Sequence, residues 1–217
     1  MGLLPNFVVF EGGDGSGTST QLELLKQKFA GQDGGGQKLP SIVYTFEPTE
    51  GPAGRILREA LRGEARLHGE TMARLFSADR AEHLYGEGGL VSLARGGNLV
   101  VCDRYTLSSL VYQGIECGDE LPMELNKSFP APELLLFFDI DPAIAFERLE
   151  KRAQKEIYER LDFQILVRER YLKLLDSCRD KGSRVAVIDA AAPVEAVARA
   201  VWQNISLLPI MKGCTVQ

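Results

Sequence analysis

A short apolar run, Phe7-Val-Val-Phe10, leads into Glu-Gly-Gly-Asp-Gly-Ser-Gly-Thr-Ser-Thr20, where a helical pattern begins. Gly12, Gly15 and Gly17 permit positive φ and close backbone approach. Backbone N–H groups can then face inward at a helix N-terminus, an arrangement that binds phosphate with little help from side chains. The candidate contacts to a nucleoside triphosphate are Gly12, Gly13, Asp14, Gly15, Ser16, Gly17, Thr18, Ser19 and Thr20. The spacing G-x-x-x-x-G-K-[ST] is kept from Gly12 to Ser19, except that Thr18 stands where the lysine belongs. Ser19 is placed to offer its hydroxyl to Mg²⁺. A carboxylate inside such a loop is repelled by polyphosphate, so Asp14 is expected to turn toward a hydroxyl of a second substrate. An ordinary glycine-rich turn gives the same pattern, and the loop alone leaves both readings open.

A second cluster follows another apolar run. In Val100-Val-Cys-Asp-Arg-Tyr-Thr-Leu-Ser-Ser-Leu-Val-Tyr-Gln-Gly114, Asp103 and Arg104 fall at a strand end, where open α/β sheets bind ligands. Asp103 suits a metal and Arg104 a phosphate, since a guanidinium fork matches phosphate oxygens. Ser109, Tyr112 and Gln113 share a face if the segment is helical. They can then hydrogen-bond a base and sugar, or simply meet solvent. Phe76 and Arg80 are four residues apart and share a face as well. A ring beside a guanidinium can stack on a base and bond its carbonyl edge, although spacing alone favours Phe76 in the core and Arg80 in water.

These residues need a scaffold. Five apolar runs, Phe7–Phe10, Ser41–Thr45, Leu99–Cys102, Leu134–Ile140 and Val185–Ile188, are nearly continuous rather than alternating. Strands of a parallel sheet buried on both faces read this way. Helical patterns separate them: Thr20–Ala30, Ala53–Leu61, Glu70–Tyr85, Pro142–Arg152, Leu161–Ser177 and Pro193–Leu207. Strand–helix alternation predicts a three-layer α/β fold with right-handed crossovers. The polar, glycine-rich stretch Gly31–Lys38 reads as a surface loop, and the residues from Pro209 onward as a loose tail.

The 217 residues, 45% hydrophobic and 25% charged, suit one globular domain over 1–217 and exclude a disordered, collagen-like or coiled-coil chain. A net charge of -5 argues against general attraction to nucleic acid. No apolar run approaches the roughly 20 residues of a membrane span, and no signal peptide or myristoylation signal is read. Cys102, Cys117, Cys178 and Cys214 form no C-x-x-C pair, so four reduced thiols in a cytoplasmic protein are expected.

The phosphate loop, Phe46-Glu-Pro48, Leu75-Phe-Ser-Ala-Asp-Arg-Ala-Glu-His83 and Asp103-Arg-Tyr…Ser-Ser…Tyr-Gln-Gly114 occur in an order that resembles the thymidylate kinase family. The resemblance covers Phe7 to about Asp189. It implies a P-loop kinase fold with five parallel strands, γ-phosphoryl transfer from ATP to dTMP with Mg²⁺, and a homodimer. By matched positions, Asp14 lies near the sugar 3′-hydroxyl and Glu47 lines the acceptor site. Arg58 and Arg104 hold the dTMP phosphate. Phe76 stacks on thymine and Arg80 donates to its carbonyl. Ser109 and Gln113 read the base edge, Tyr112 lies against the sugar, and Asp103 holds Mg²⁺ through water. A lid is implied at about 148–160, where the usual arginine matches Lys155, with Arg152 as the other candidate. Phe46 stands where an arginine often precedes Glu-Pro. Another nucleotide kinase of this fold, or a nucleotide binder that has lost catalysis, remains open at this point.

Overall fold

The computed structural model describes residues 2–30, 39–150 and 156–212. The expected loop at Gly31–Lys38, the lid cations Arg152 and Lys155, and Cys214 lie outside the described residues. Five strands, β1 (Leu3–Gly12), β2 (Ile42–Phe46), β3 (Leu99–Asp103), β4 (Ala131–Asp139) and β5 (Arg184–Asp189), form one sheet in the order β2-β3-β1-β4-β5. Every pairing is parallel, as the unbroken apolar runs predict.

The helices are α1 (Thr18–Ala30), α2 (Pro52–Leu61), α3 (Gly69–Tyr85), α4 (Leu90–Arg95), α5 (Thr106–Cys117), α6 (Glu120–Asn126), α7 (Pro142–Leu149), α8 (Leu161–Asp180), α9 (Val194–Ser206) and α10 (Pro209–Lys212). Successive strand residues feed opposite cores, as the two-residue pleat requires. Val8, Phe10, Leu134, Leu136 and Phe138 pack with Leu22 and Leu25 of α1 and Val197, Val201 and Ile205 of α9. On the other face, Leu135 and Phe137 meet Leu107 and Val111 of α5 and Val167, Tyr171 and Leu175 of α8. There too, Phe7 and Val9 lie against Leu90 and Ala94 of α4.

Three expectations need correction. Burial on both faces holds for the central strands, but β2 and β5 are half-exposed because they are sheet edges with a neighbour on one side only. Pro209–Lys212 form a helix rather than a loose tail, since Met211 is buried in the core beside Ile205. Two short helices, α4 and α6, gave no periodic signal because six or seven residues hold less than two full periods.

The chain order puts the site where the order of strand addition reverses, at β1. β1 lies between β3 and β4, and the register sets Phe10 beside Asp103, with Phe46 beside Asp103 on the far side. The carboxyl ends of β1, β2 and β3 therefore open into one crevice, the place such sheets bind ligands.

Candidate active site

The phosphate loop leaves β1 at Gly12 and enters α1 at Thr18. Gly15 and Gly17 adopt left-handed backbone conformations, φ 81° and 88°. Gly12 serves by small size instead: a Cβ there would meet Ser16 Oγ at 2.6 Å. The first N–H groups of a helix have no partner within it. No acidic residue occupies the first turn of α1 to compete with an anion for them. Gly13 to Thr20, with Asp103, Arg104, Glu156 and Glu159, line a cleft of about 220 Å³.

Thr18 and Ser19 turn their hydroxyls toward Asp103. Both donate to its Oδ2, each at 3.2 Å, while Oδ1 is buried without a partner. Burial raises the Asp103 carboxyl above its ordinary pKa, opposed by Arg104 and by the two hydroxyl bonds. A buried, under-coordinated carboxylate oxygen beside a serine hydroxyl is a hard-oxygen donor set that fits Mg²⁺. The sequence placed Ser19 and Asp103 in this role.

Asp14 turns away from the loop interior, as the charge argument predicts. Its Oδ1 accepts from Arg104 Nη2 at 2.5 Å, and its Oδ2 from Gln164 Nε2 at 2.7 Å and Tyr112 Oη at 3.3 Å. Arg104 itself has φ 68°, unusual for a residue with a Cβ. Its N–H donates to Phe10 O at 2.8 Å, and its Nη1 to Gly12 O at 3.0 Å. The turn is also fixed from below: Glu11, fully buried, accepts from the N–H groups of Tyr105 (3.0 Å) and Ser108 (3.2 Å) and from the Ser108 and Tyr171 hydroxyls. Burial is the leading cause of its raised pKa.

Beyond Asp14 lies a cavity of about 210 Å³. Its lining brings together Asp14, Glu47, Arg58, Phe76, Arg80, Arg104, Ser109, Tyr112 and Gln113, every substrate residue named from the sequence, with Pro48, Tyr105, Glu156 and Tyr158 besides. Phe76 is half-buried: it packs on the core and also forms part of the cavity wall. Arg80 departs from the solvated side chain that spacing favours. It is 1% exposed and bonds Glu47 Oε2 (2.8 Å), Asn126 Oδ1 (2.5 Å), Ser109 Oγ (3.1 Å) and Tyr105 O (3.2 Å). Arg58 Nη2 is buried without a partner, and its guanidinium lies 5.2 Å from the Phe46 ring. Ser109, Tyr112 and Gln113 are buried, so theirs is not a solvated helix face.

Several participants escaped the sequence reading. Gln164 is 3% exposed and clamps Asp14 from α8, through its own Oε1 to Asp14 N (3.1 Å) and through Nε2 to the carboxylate. A signal existed: Gln164 falls on the buried stripe with Val167, Tyr171 and Leu175, where an apolar residue is the default. Tyr158 comes from the expected lid and stacks on Phe163, centroids 5.0 Å apart. Arg148 donates to Ala190 O at 3.2 Å, and with Gly17, Thr20, Gln21, Ala190 and Ala192 lines a third cavity of about 310 Å³ beside the loop. The cysteines Cys102, Cys117 and Cys178 are free thiols. No described helix is long and apolar enough to cross a membrane.

Comparison with known proteins agrees with this geometry. The family profile described as Thymidylate kinase matches residues 10–201. Among relatives bearing a thymidylate kinase name, the protein of Treponema pallidum (strain Nichols) is 41% identical over 200 residues, covering 91% of this chain and 93% of its own. That of Pyrobaculum aerophilum is 39% identical over 194 residues, 88% and 92% of the two chains. That of Methanococcus maripaludis (strain S2) is 37% identical over 172 residues, 79% and 78%. With the match spanning both the phosphate loop and the acceptor cavity, the chain belongs to the thymidylate kinase family.

Proposed function

We propose that this protein transfers the γ-phosphoryl group of ATP to dTMP, giving dTDP and ADP. The observation that carries the reading is the acceptor cavity. An aromatic wall, Phe76, and a buried polar end of Arg80, Ser109 and Gln113 suit a pyrimidine, and the unpartnered Arg58 Nη2 suits its phosphate. This cavity meets the phosphate loop at Asp14 and Arg104, which line both spaces.

The acceptor is a phosphate monoester, ionised at neutral pH, so no general base is required. Catalysis is then positioning and charge neutralisation. Arg104 stands at the seam between the two anions, held by Asp14 and Gly12 O. Arg58 fixes the acceptor phosphate, and Arg152 and Lys155 add lid charge. Tyr112, bonded to Asp14, lies against the sugar. The cavity of Arg148, Ala190 and Ala192 takes adenine. Ser19 and Asp103 would hold Mg²⁺, which would supply charge compensation on the triphosphate. Tyr158 and its neighbours shield the acceptor from water, which would otherwise compete for ATP. Dimeric assembly and a cytoplasmic setting complete the proposal.

The test is ADP release with dTMP, dUMP, dCMP, dGMP and thymidine as acceptors. Turnover is expected to be highest with dTMP. Arg104→Ala should cost about 1.5–3 kcal/mol in kcat/KM for dTMP, the value of a charged hydrogen bond, and leave thymidine binding unchanged. An equal loss for both ligands would show that Arg104 acts through the fold. Thr18 at the lysine position favours a second reading, a nucleotide binder without catalysis. Tight ATP binding with no dTDP formed would establish it.

A further inference from the structure

Behind the acceptor cavity runs a hydrogen-bonded chain that no contact with a ligand explains. Thr45 Oγ1 on β2 lies 2.7 Å from His83 Nε2 on α3, and His83 Nδ1 lies 3.1 Å from Glu47 Oε1. Arg80 takes the other carboxylate oxygen: its Nε and Nη2 both reach Glu47 Oε2, at 2.8 and 2.7 Å. Glu47 and Arg80 line the cavity, whereas His83 does not. The side chains of Glu47 and Arg80 are 2% and 1% exposed, and that of His83 is 10% exposed.

The chemistry fixes the direction of the chain. A carboxylate paired with a guanidinium accepts only, so His83 Nδ1 donates to it. In the neutral ring Nε2 then accepts, and the Thr45 hydroxyl donates to it. Cys102 lies close enough to Glu47 and His83 for the three to resemble a metal cage. Its thiol instead donates to Arg104 O at 3.1 Å, and Arg80 already occupies Glu47. In this geometry His83 and Glu47 form a hydrogen-bonded support, and Cys102 stands apart from it.

We infer that His83 is a positioning residue for base recognition, holding Glu47 Oε1 so that Arg80 is gripped through Oε2 alone and its guanidinium is aimed at the cavity. Without His83, Oε1 is left buried and unsatisfied. The carboxylate then rotates to offer both oxygens to Arg80, and the fork shifts relative to the bound base. Both residues lie in separate elements, Glu47 just after β2 and His83 in the last turn of α3, so the contact also sets the spacing between them. This inference rests on the proposed dTMP reading, in which Arg80 meets thymine.

Two substitutions separate positioning from packing. In His83→Asn the amide nitrogen overlays Nδ1 and keeps the donor to Glu47. In His83→Gln the longer side chain fills more of the ring's volume and reaches toward Thr45, but loses that donor. The readouts are dTMP binding by calorimetry, KM for dTMP and for ATP, and the melting temperature. His83→Gln is expected to raise Kd and KM for dTMP about tenfold, and His83→Asn less than about twofold. KM for ATP should stay at the wild-type value in both. Thr45→Val, which removes the hydroxyl that orients the ring, should shift dTMP affinity in the same direction by less.

If Asn and Gln behave alike, or if neither moves dTMP affinity, the positioning role is wrong. It is equally wrong if Gln is the better substitute, since that ranks volume above the donor. Wild type that fails to bind dTMP would instead overturn the substrate reading, and the inference with it.

Discussion

The acceptor cavity and the phosphate loop lie side by side but are built on opposite plans. In the acceptor cavity, charge is carried by side chains that hold one another: Arg80 by Glu47, Asn126 and Ser109, and Arg104 by Asp14. Removing one partner there leaves another buried and unsatisfied, which costs about 1–3 kcal/mol or more for a charge. In the phosphate loop the groups offered to an anion are backbone N–H groups, and the side chains are small and, Asp14 apart, neutral. Among the described residues, Asp103, Glu156 and Glu159 line its cleft with Arg104, and Arg148 reaches Gly15 O at 3.5 Å. Among the described residues the first region holds its charges through paired side chains, whereas the second offers an anion backbone N–H groups with Arg104 and Arg148 at its margins.

The sharpest way to break this contrast lies at Arg152 and Lys155, the proposed lid cations. Arg152→Ala combined with Lys155→Ala is expected to lower kcat about 10³-fold, the low end for loss of an arginine that stabilises transferring phosphoryl groups. KM for dTMP should change little, because the acceptor cavity has Arg58 and Arg104 of its own to meet the acceptor phosphate. Full activity in the double variant would mean that the loop region is not short of charge. An equal collapse of dTMP affinity would mean that the two regions do not divide the work in this way.

How far the sequence revealed each region follows from the same contrast. The phosphate loop is contiguous, and its glycines are fixed by local constraints, Gly15 and Gly17 by left-handed backbone and Gly12 by the room Ser16 needs, so spacing alone exposes it. The strands were equally plain, because Phe7–Phe10 and Leu134–Ile140 are buried on both faces and lose all polar alternation. The acceptor cavity is assembled from separate elements. Spacing could pair Phe76 with Arg80, but not say that Arg80 would be buried, since Glu47 and Asn126 are 33 and 46 residues away. The family resemblance implied Arg80 as a donor to the base, but not its burial. Gln164 and Glu11 were missed for the same reason: their partners lie 150 and 94 residues distant, at Asp14 and Tyr105.

A smaller effect sharpens the acceptor side. Phe76 gives one face to the cavity and one to the core, so its two roles can be separated by ligand dependence. Phe76→Ala should weaken dTMP by about 1–3 kcal/mol, the range for aromatic–base stacking. Phe76→Leu keeps core volume but loses the ring, and should lose a similar part of dTMP affinity with little change in melting temperature. If Leu restores both affinity and stability, Phe76 acts as core and the stacking role fails.

The smallest effect is expected at Thr18, where the two plans touch. A lysine at this position normally bridges the β- and γ-phosphates and follows charge as it moves. Threonine carries no charge and is too short to reach there, but its N–H stays in the first turn of α1, so ATP binding should need nothing from the side chain. What its hydroxyl does do is donate to Asp103 Oδ2 at 3.2 Å, in parallel with Ser19. Thr18→Lys removes that bond and adds a cation to a cleft rich in carboxylates. Ser19 still holds Oδ2, so the lost bond is partly covered, and the added charge offsets the rest. Turnover should therefore equal or exceed wild type, within about threefold, a change of less than 1 kcal/mol in the barrier. The lid double variant should also become less damaging in the Thr18→Lys background, because the loop then carries charge of its own. A tenfold fall in turnover on Thr18→Lys would show the reverse: that the cleft has been rebuilt around a neutral hydroxyl, and that its second role, fixing Asp103, outweighs the charge it lacks.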